Sequence, residues 1–166
     1  VYKRQGLGHA VWCARNFISD EPVAVILADD LIEANPGCMK QMIEKWDGGN
    51  MVATMNVEDK DTSSYGIITP GKIIRDKIEV RDIVEKPNPK NAPSNIAVVG
   101  RYIIQPSVFE DLALQKKGAN DEIQLTDSLS SQIGKAPFYA YNFIGTRYDC
   151  GTKTVSYTHL TLPTSP

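Results

Sequence analysis

Residues 23–57 read VAVILADDLIEANPGCMKQMIEKWDGGNMVATMNV, and the order of patterns within them decides the fold class. Val23 to Ala28 is an unbroken apolar run of strand length, the pattern of a buried parallel strand. It stops at Asp29-Asp30. Pro36 then opens a segment through Trp46 in which Met39, Met42, Ile43 and Trp46 recur three or four residues apart, so a helix is predicted there. Asp47-Gly48-Gly49-Asn50 ends that helix, and residues 51–57 return to strand character. Strand, helix, strand in this order implies a right-handed βαβ crossover and an α/β layered fold.

Upstream, Gly6 to Ile18 places Leu7, Val11, Ala14 and Phe17 at helical spacing, and Glu21-Pro22 breaks the pattern. Downstream, residues 65–86 hold short β-like segments around Pro70-Gly71, and residues 87–93 form a proline-rich loop. Residues 96–104 are an apolar strand, 106–112 and 122–133 read as helices, and 138–143 as a final strand. With no internal repeat and no flexible linker, a single domain is expected.

Composition narrows the partners. The chain is 42% hydrophobic and 23% charged, with a formal charge of −2. No basic surplus points to nucleic acid, and no apolar run approaches membrane-spanning length. Cys13, Cys38 and Cys150 are widely spaced and form no CxxC pair, which argues against a disulfide framework or a zinc site. Reduced thiols in a cytoplasmic protein are the expectation.

The two ends carry a different signal. Val155 to Thr164 (VSYTHLTLPT) matches a translation of GTC TCT TAT ACA CAT CTG ACG CTG CCG ACG, which resembles the end of a transposon-type sequencing adaptor. The reverse complement of that end, GTG TAT AAG AGA CAG, translates as VYKRQ, which is Val1 to Gln5. Residues 1–5 and 154–166 are therefore expected to be adaptor-derived, with a partial domain over 6–153. His159 then lies in the tail, which leaves His9 as the single native histidine and excludes chemistry that needs several.

Four clusters can carry chemistry. Asp29-Asp30 follow a strand, where ligands bind in open α/β sheets, and hard carboxylate oxygens suit magnesium. Acid pairs also begin helices and turns. Gly6-Leu7-Gly8-His9-Ala10 offers backbone N–H groups to a ligand, or simple turn geometry. Val84-Glu85-Lys86-Pro87 pairs a hydroxyl acceptor with a compact cation suited to phosphate, or forms a surface ion pair. Adjacent strand residues face opposite sides, so Glu85 and Lys86 meet one ligand only where the chain bends. Asp149, before Cys150-Gly151, is a second metal-ligand candidate or an Asx-type turn.

Taken in order, GLGHA, LADDLI, SSYGII, IVEKP, NIAVVGRYII, NDEIQLTD and RYDCGTK resemble the successive blocks of the bacterial UTP–glucose-1-phosphate uridylyltransferases, over residues 6–153. IVEKP recurs across sugar-nucleotide pyrophosphorylases; AVVGRYII, EIQLTD and RYDCGTK are more specific. The resemblance implies a Rossmann-like nucleotidyltransferase fold, with a mixed, mostly parallel sheet and helices on both faces, incomplete at its N-terminus. It implies conversion of UTP and glucose 1-phosphate to UDP-glucose and pyrophosphate, with Mg2+ as cofactor, and a homo-oligomeric parent. By the family pattern Asp29 holds magnesium, Lys86 neutralises the sugar phosphate, and Glu85, Asp30 and Gly66 bind glucose. Gly8 lies against uracil, and Asp149 is a second metal ligand. The family's glycine-rich triphosphate loop would lie upstream of Gly6, so the chain alone is expected to be inactive, prone to associate, and disordered after Lys153. Competing readings are a related enzyme using dTTP or another sugar, a metal-dependent glycosyltransferase, and a non-catalytic sugar-nucleotide-binding protein.

Overall fold

The computed structural model describes residues 5–118 and 121–150. In chain order the elements are α1 (Leu7–Cys13), β1 (Val23–Ile26), β2 (Asp30–Glu33), α2 (Cys38–Lys45), β3 (Asn50–Asn56), β4 (Gly66–Ile74), β5 (Lys77–Glu85), β6 (Ile96–Ile104), α3 (Ser107–Ala113), α4 (Leu125–Ser130), β7 (Phe138–Asn142) and β8 (Thr146–Asp149). The expectations placed on residues 1–4 and 151–166 lie outside the described residues.

A six-stranded sheet runs in the order β1-β6-β3-β7-β5-β4, and β2 pairs with β8 as a separate two-stranded ribbon. Strand β6 is antiparallel to both β1 and β3, β7 is parallel to β3, and β5 is antiparallel to β7 and β4. Thus β1, β3, β4 and β7 share one direction while β5 and β6 oppose it. The sheet is mixed, as expected, but not mostly parallel: among the described residues its one parallel hydrogen-bonded strand pair is β3 with β7. The expected βαβ relation survives in strand direction: β1 and β3 run parallel, with β6 inserted between them.

Alternation along the central strands builds two cores. Val52, Val98, Tyr102, Ile104 and Phe138 face α1, α3 and α4 through Leu7, Leu112, Leu125 and Leu129. Met51, Ala53, Val99, Ile103 and Tyr141 face α2 through Cys38 and Met42. Helices therefore cover both faces. The buried stripe of α2 is Cys38, Gln41 and Met42, whereas Ile43, predicted to face inward, is 57% exposed. Gln41 explains the rotation. Its amide donates to the carbonyls of Pro36 at 2.7 Å and Ile144 at 2.8 Å and accepts from the Ile144 N–H at 2.9 Å, tying α2 to the loop before β8.

Strand β1 also departs from the buried pattern. Among the described residues it has one neighbour, β6, and its alternate side chains are exposed, with Ile26 at 56%. The four-residue β2 and β8 are absent from the sequence reading.

Candidate active site

One cleft of about 290 Å³ opens beside the middle of β6, between the β1–β2 turn, the ends of β4 and β5, and the start of α4. Its shape begins with Gly100. A Cβ there would sit 2.7 Å from both Asp30 Oδ2 and Leu27 Cβ, so only glycine lets the β1–β2 turn lie on the strand. The Gly100 N–H donates to Asp30 Oδ2 at 2.6 Å, and its carbonyl accepts from the Leu27 N–H at 2.9 Å. Arg101 clamps the same turn from beside it, donating to the carbonyls of Leu27 at 3.1 Å and Asp30 at 2.6 Å.

The ribbon adds the second wall. Asp30 stands opposite Asp149 in the β2–β8 ladder, and the Cys150 N–H donates to the Asp29 carbonyl at 2.7 Å. Arg147, two positions before Asp149 and therefore on the same strand face, joins the acids. Its Nε donates to Asp30 Oδ1 at 2.7 Å, its Nη2 contacts Asp30 and reaches Asp149 Oδ2 at 3.2 Å, and its Nη1 donates to the Tyr65 hydroxyl at 3.1 Å. Burial works against the Arg147 charge. The hydrogen bond and charge of Asp30, with Tyr65 and Asp149, outweigh it and hold the guanidinium above its ordinary pKa.

The opposite wall answers the difficulty posed by Glu85 and Lys86. Strand β5 ends at Glu85, and Lys86 turns out of it with φ at 47°. That left-handed backbone is rare outside glycine and costs about 1–3 kcal/mol. It is fixed by the Lys86 N–H donating to the Tyr65 carbonyl at 2.9 Å. The bend brings both side chains to the cleft, with Lys86 Nζ 4.0 Å from Glu85 Oε1. Beneath them the Tyr102 phenol is buried. Burial pushes its pKa up, and the nearby charges of Glu85, Asp30 and Asp29 push it further.

The cleft thus brings together Asp29, Asp30, Gly66, Glu85, Lys86 and Asp149. Gly8 does not line it, although its neighbour Leu7 does. The Gly8 N–H donates to the Ile123 carbonyl at 2.9 Å, and a Cβ would meet that oxygen at 2.8 Å, so packing alone requires a glycine there. The acids differ in availability. Asp30 is 7% exposed and its carboxylate is taken by Gly100 and Arg147, whereas Asp29 is exposed. Among the described residues no three His, Cys, Asp or Glu side chains form a metal cage. Asp29 and Asp149 line the same cleft, where carboxylate oxygens suit a hard cation that keeps waters and takes its remaining ligands from phosphate, and Asp149 also contacts Arg147 at 3.2 Å. The sequence reading quoted Arg147 and Arg101 within RYDCGTK and NIAVVGRYII but gave neither a role. For Arg147 the signal was present, as the cation two positions before Asp149.

The chain was compared with known proteins. A family model described as nucleotidyl transferase matches residues 2–160. The UTP–glucose-1-phosphate uridylyltransferase of Komagataeibacter xylinus is 44% identical over 154 residues, which are 92% of this chain and 54% of that protein. UTP–glucose-1-phosphate uridylyltransferase 2 of Staphylococcus saprophyticus is 44% identical over 153 residues, 91% of this chain and 53% of that one. A crystal structure of UDP-glucose pyrophosphorylase complexed with UDP-glucose superposes with a TM-score of 0.87 at 42% identity, covering 93% of this chain and 60% of that one. The chain spans about half the length of the curated relatives it matches.

Proposed function

Because the chain belongs to the nucleotidyl transferase family, we propose that it carries the sugar-phosphate side of a site that joins UTP and glucose 1-phosphate into UDP-glucose and pyrophosphate. The observation that carries this reading is the meeting of Asp29, Glu85, Lys86 and Asp149 on one cleft, together with the similarity to uridylyltransferases. In this reading Lys86 neutralises the phosphate of glucose 1-phosphate, so that its oxygen can approach the α-phosphorus of UTP in line with the leaving pyrophosphate. Glu85 accepts from a sugar hydroxyl, and Gly66 leaves room for the ring. Asp30 shapes the glucose subsite and holds Arg147 in place. Gly8 fixes the backbone entry to the uracil side. Asp29 and Asp149 would hold Mg2+, which supplies charge neutralisation on the phosphates. The three cysteines are free thiols, in keeping with a cytoplasmic setting.

Two measurements test the reading. Glucose 1-phosphate should bind the chain, and Lys86→Ala should weaken that binding. A protein completed to the length of the relatives should form UDP-glucose from UTP in preference to dTTP. Failure of the chain to bind glucose 1-phosphate, or equal use of dTTP, would overturn it.

A further inference from the structure

Glu85 has a partner that the proposed chemistry does not use. Thr126, in the first turn of α4 and 7% exposed, donates from Oγ1 to Glu85 Oε2 at 2.9 Å. Leu125 and Leu129, on either side of it, are in the core, so the hydroxyl is presented from a fixed helix. Threonine is itself stiff at χ1, whereas a glutamate at a strand end has three rotatable bonds. The third member is Gly66, paired with Glu85 across β4–β5. A Cβ there would come within 3.1 Å of Thr126 Cγ2 and 3.3 Å of Glu85 Oε2, wedging into the contact.

We propose that Thr126 is a positioning residue that sets sugar specificity by holding Glu85 in one arrangement, with Oε2 committed to the protein and Oε1, beside Lys86, left for the ligand. The proposal rests on the reading that Glu85 faces the sugar. Its physical content is that an acceptor discriminates between hydroxyl patterns only when it cannot swing to follow a misplaced hydroxyl. The Thr126 hydroxyl removes that freedom.

The test uses the chain as it stands, with ligand-observed NMR and three probes: glucose 1-phosphate, its epimer galactose 1-phosphate, and inorganic phosphate. The wild-type chain should prefer glucose 1-phosphate over both others. Thr126→Val keeps the shape and removes the donor. It should reduce the preference for glucose over galactose 1-phosphate about tenfold while leaving inorganic phosphate binding unchanged, and Thr126→Ser should restore the preference. Should Thr126→Val fail to fold, Thr126→Ala carries the same expected loss. A purely structural role would weaken all three probes together and would overturn the proposal. So would an unaltered preference in a folded Thr126→Val chain. A wild-type chain with no preference for glucose 1-phosphate over inorganic phosphate would instead overturn the reading of the cleft on which the proposal rests.

Discussion

Lys86 combines a strained backbone with an unstrained task, and the two can be separated. Its φ of 47° is a conformation that glycine adopts freely. Lys86→Gly should therefore fold at least as stably as the wild type, by up to about 1 kcal/mol in denaturant titration, while losing affinity for glucose 1-phosphate. Lys86→Ala keeps the strain and loses the charge, so it should match Lys86→Gly in binding and fall below it in stability. Equal binding by all three chains would leave Lys86 as a bend with a surface cation. Asp29 invites the complementary test. It is exposed, beside a buried Asp30 already occupied by Arg147, and it is the acid proposed to hold the cation. Asp29→Asn, in a protein completed to the relatives' length, should lower turnover about a hundredfold or more, since a metal ion supplies several kcal/mol at the transition state. Near-normal turnover at saturating magnesium would remove Asp29 from that role.

At the level of elements, the β2–β8 ribbon is held by a side-chain pair as much as by its ladder. Asp30 and Arg147 have side chains 8% and 11% exposed. Arg147→Leu leaves a buried carboxylate with Gly100 as its remaining charge-stabilising donor and should destabilise the fold by about 3–5 kcal/mol. Asp30→Asn with Arg147→Leu should recover part of that loss, and a double-mutant cycle by thermal or denaturant unfolding reads the coupling. Strand β6 was legible to its bounds, residues 96–104, because an apolar run broken only by Gly100 and Arg101 is what a strand buried on both faces requires. Neither β2 nor β8 was legible. Each has four residues, too few for a period, and their partners stand more than a hundred positions apart, as Asp30 and Arg147 do at a separation of 117. Gly8 was read as a ligand approach or a turn and Gly100 was given no role, and both prove to be places where backbone and side chain pass too close for a Cβ. Single-residue spacing in a sequence does not reveal such tertiary approaches. The bend at Lys86 was stated as a requirement and could not be located, because no glycine marks it.

For the molecule as a whole, the edge of the sheet and the two cores make separate predictions. Among the described residues β1 pairs on one side alone, and an apolar groove between it and α1 includes Leu7, Val11, Ala14, Val23 and Val25. Exposed strand edges of this kind promote association. Ile26→Lys should reduce the concentration-dependent light scattering of the chain, and unchanged scattering would point to another surface. The cysteines report on the cores. Cys38 is buried against the sheet, and burial raises its thiol pKa to about 11, whereas Cys13 is exposed. At neutral pH a thiol reagent should label Cys13 rapidly and Cys38 only when the fold opens, so equal rates would contradict the packing of α2. The ribbon has one more consequence, in the order of synthesis. Because the chain emerges from the ribosome N-terminus first, Asp30 is made long before Arg147, and its carboxylate lacks that guanidinium until almost the last described residues have left the exit tunnel. The cleft is therefore assembled late, and a nascent chain arrested before Thr146 should carry a formed β3 and β6 and no glucose 1-phosphate site.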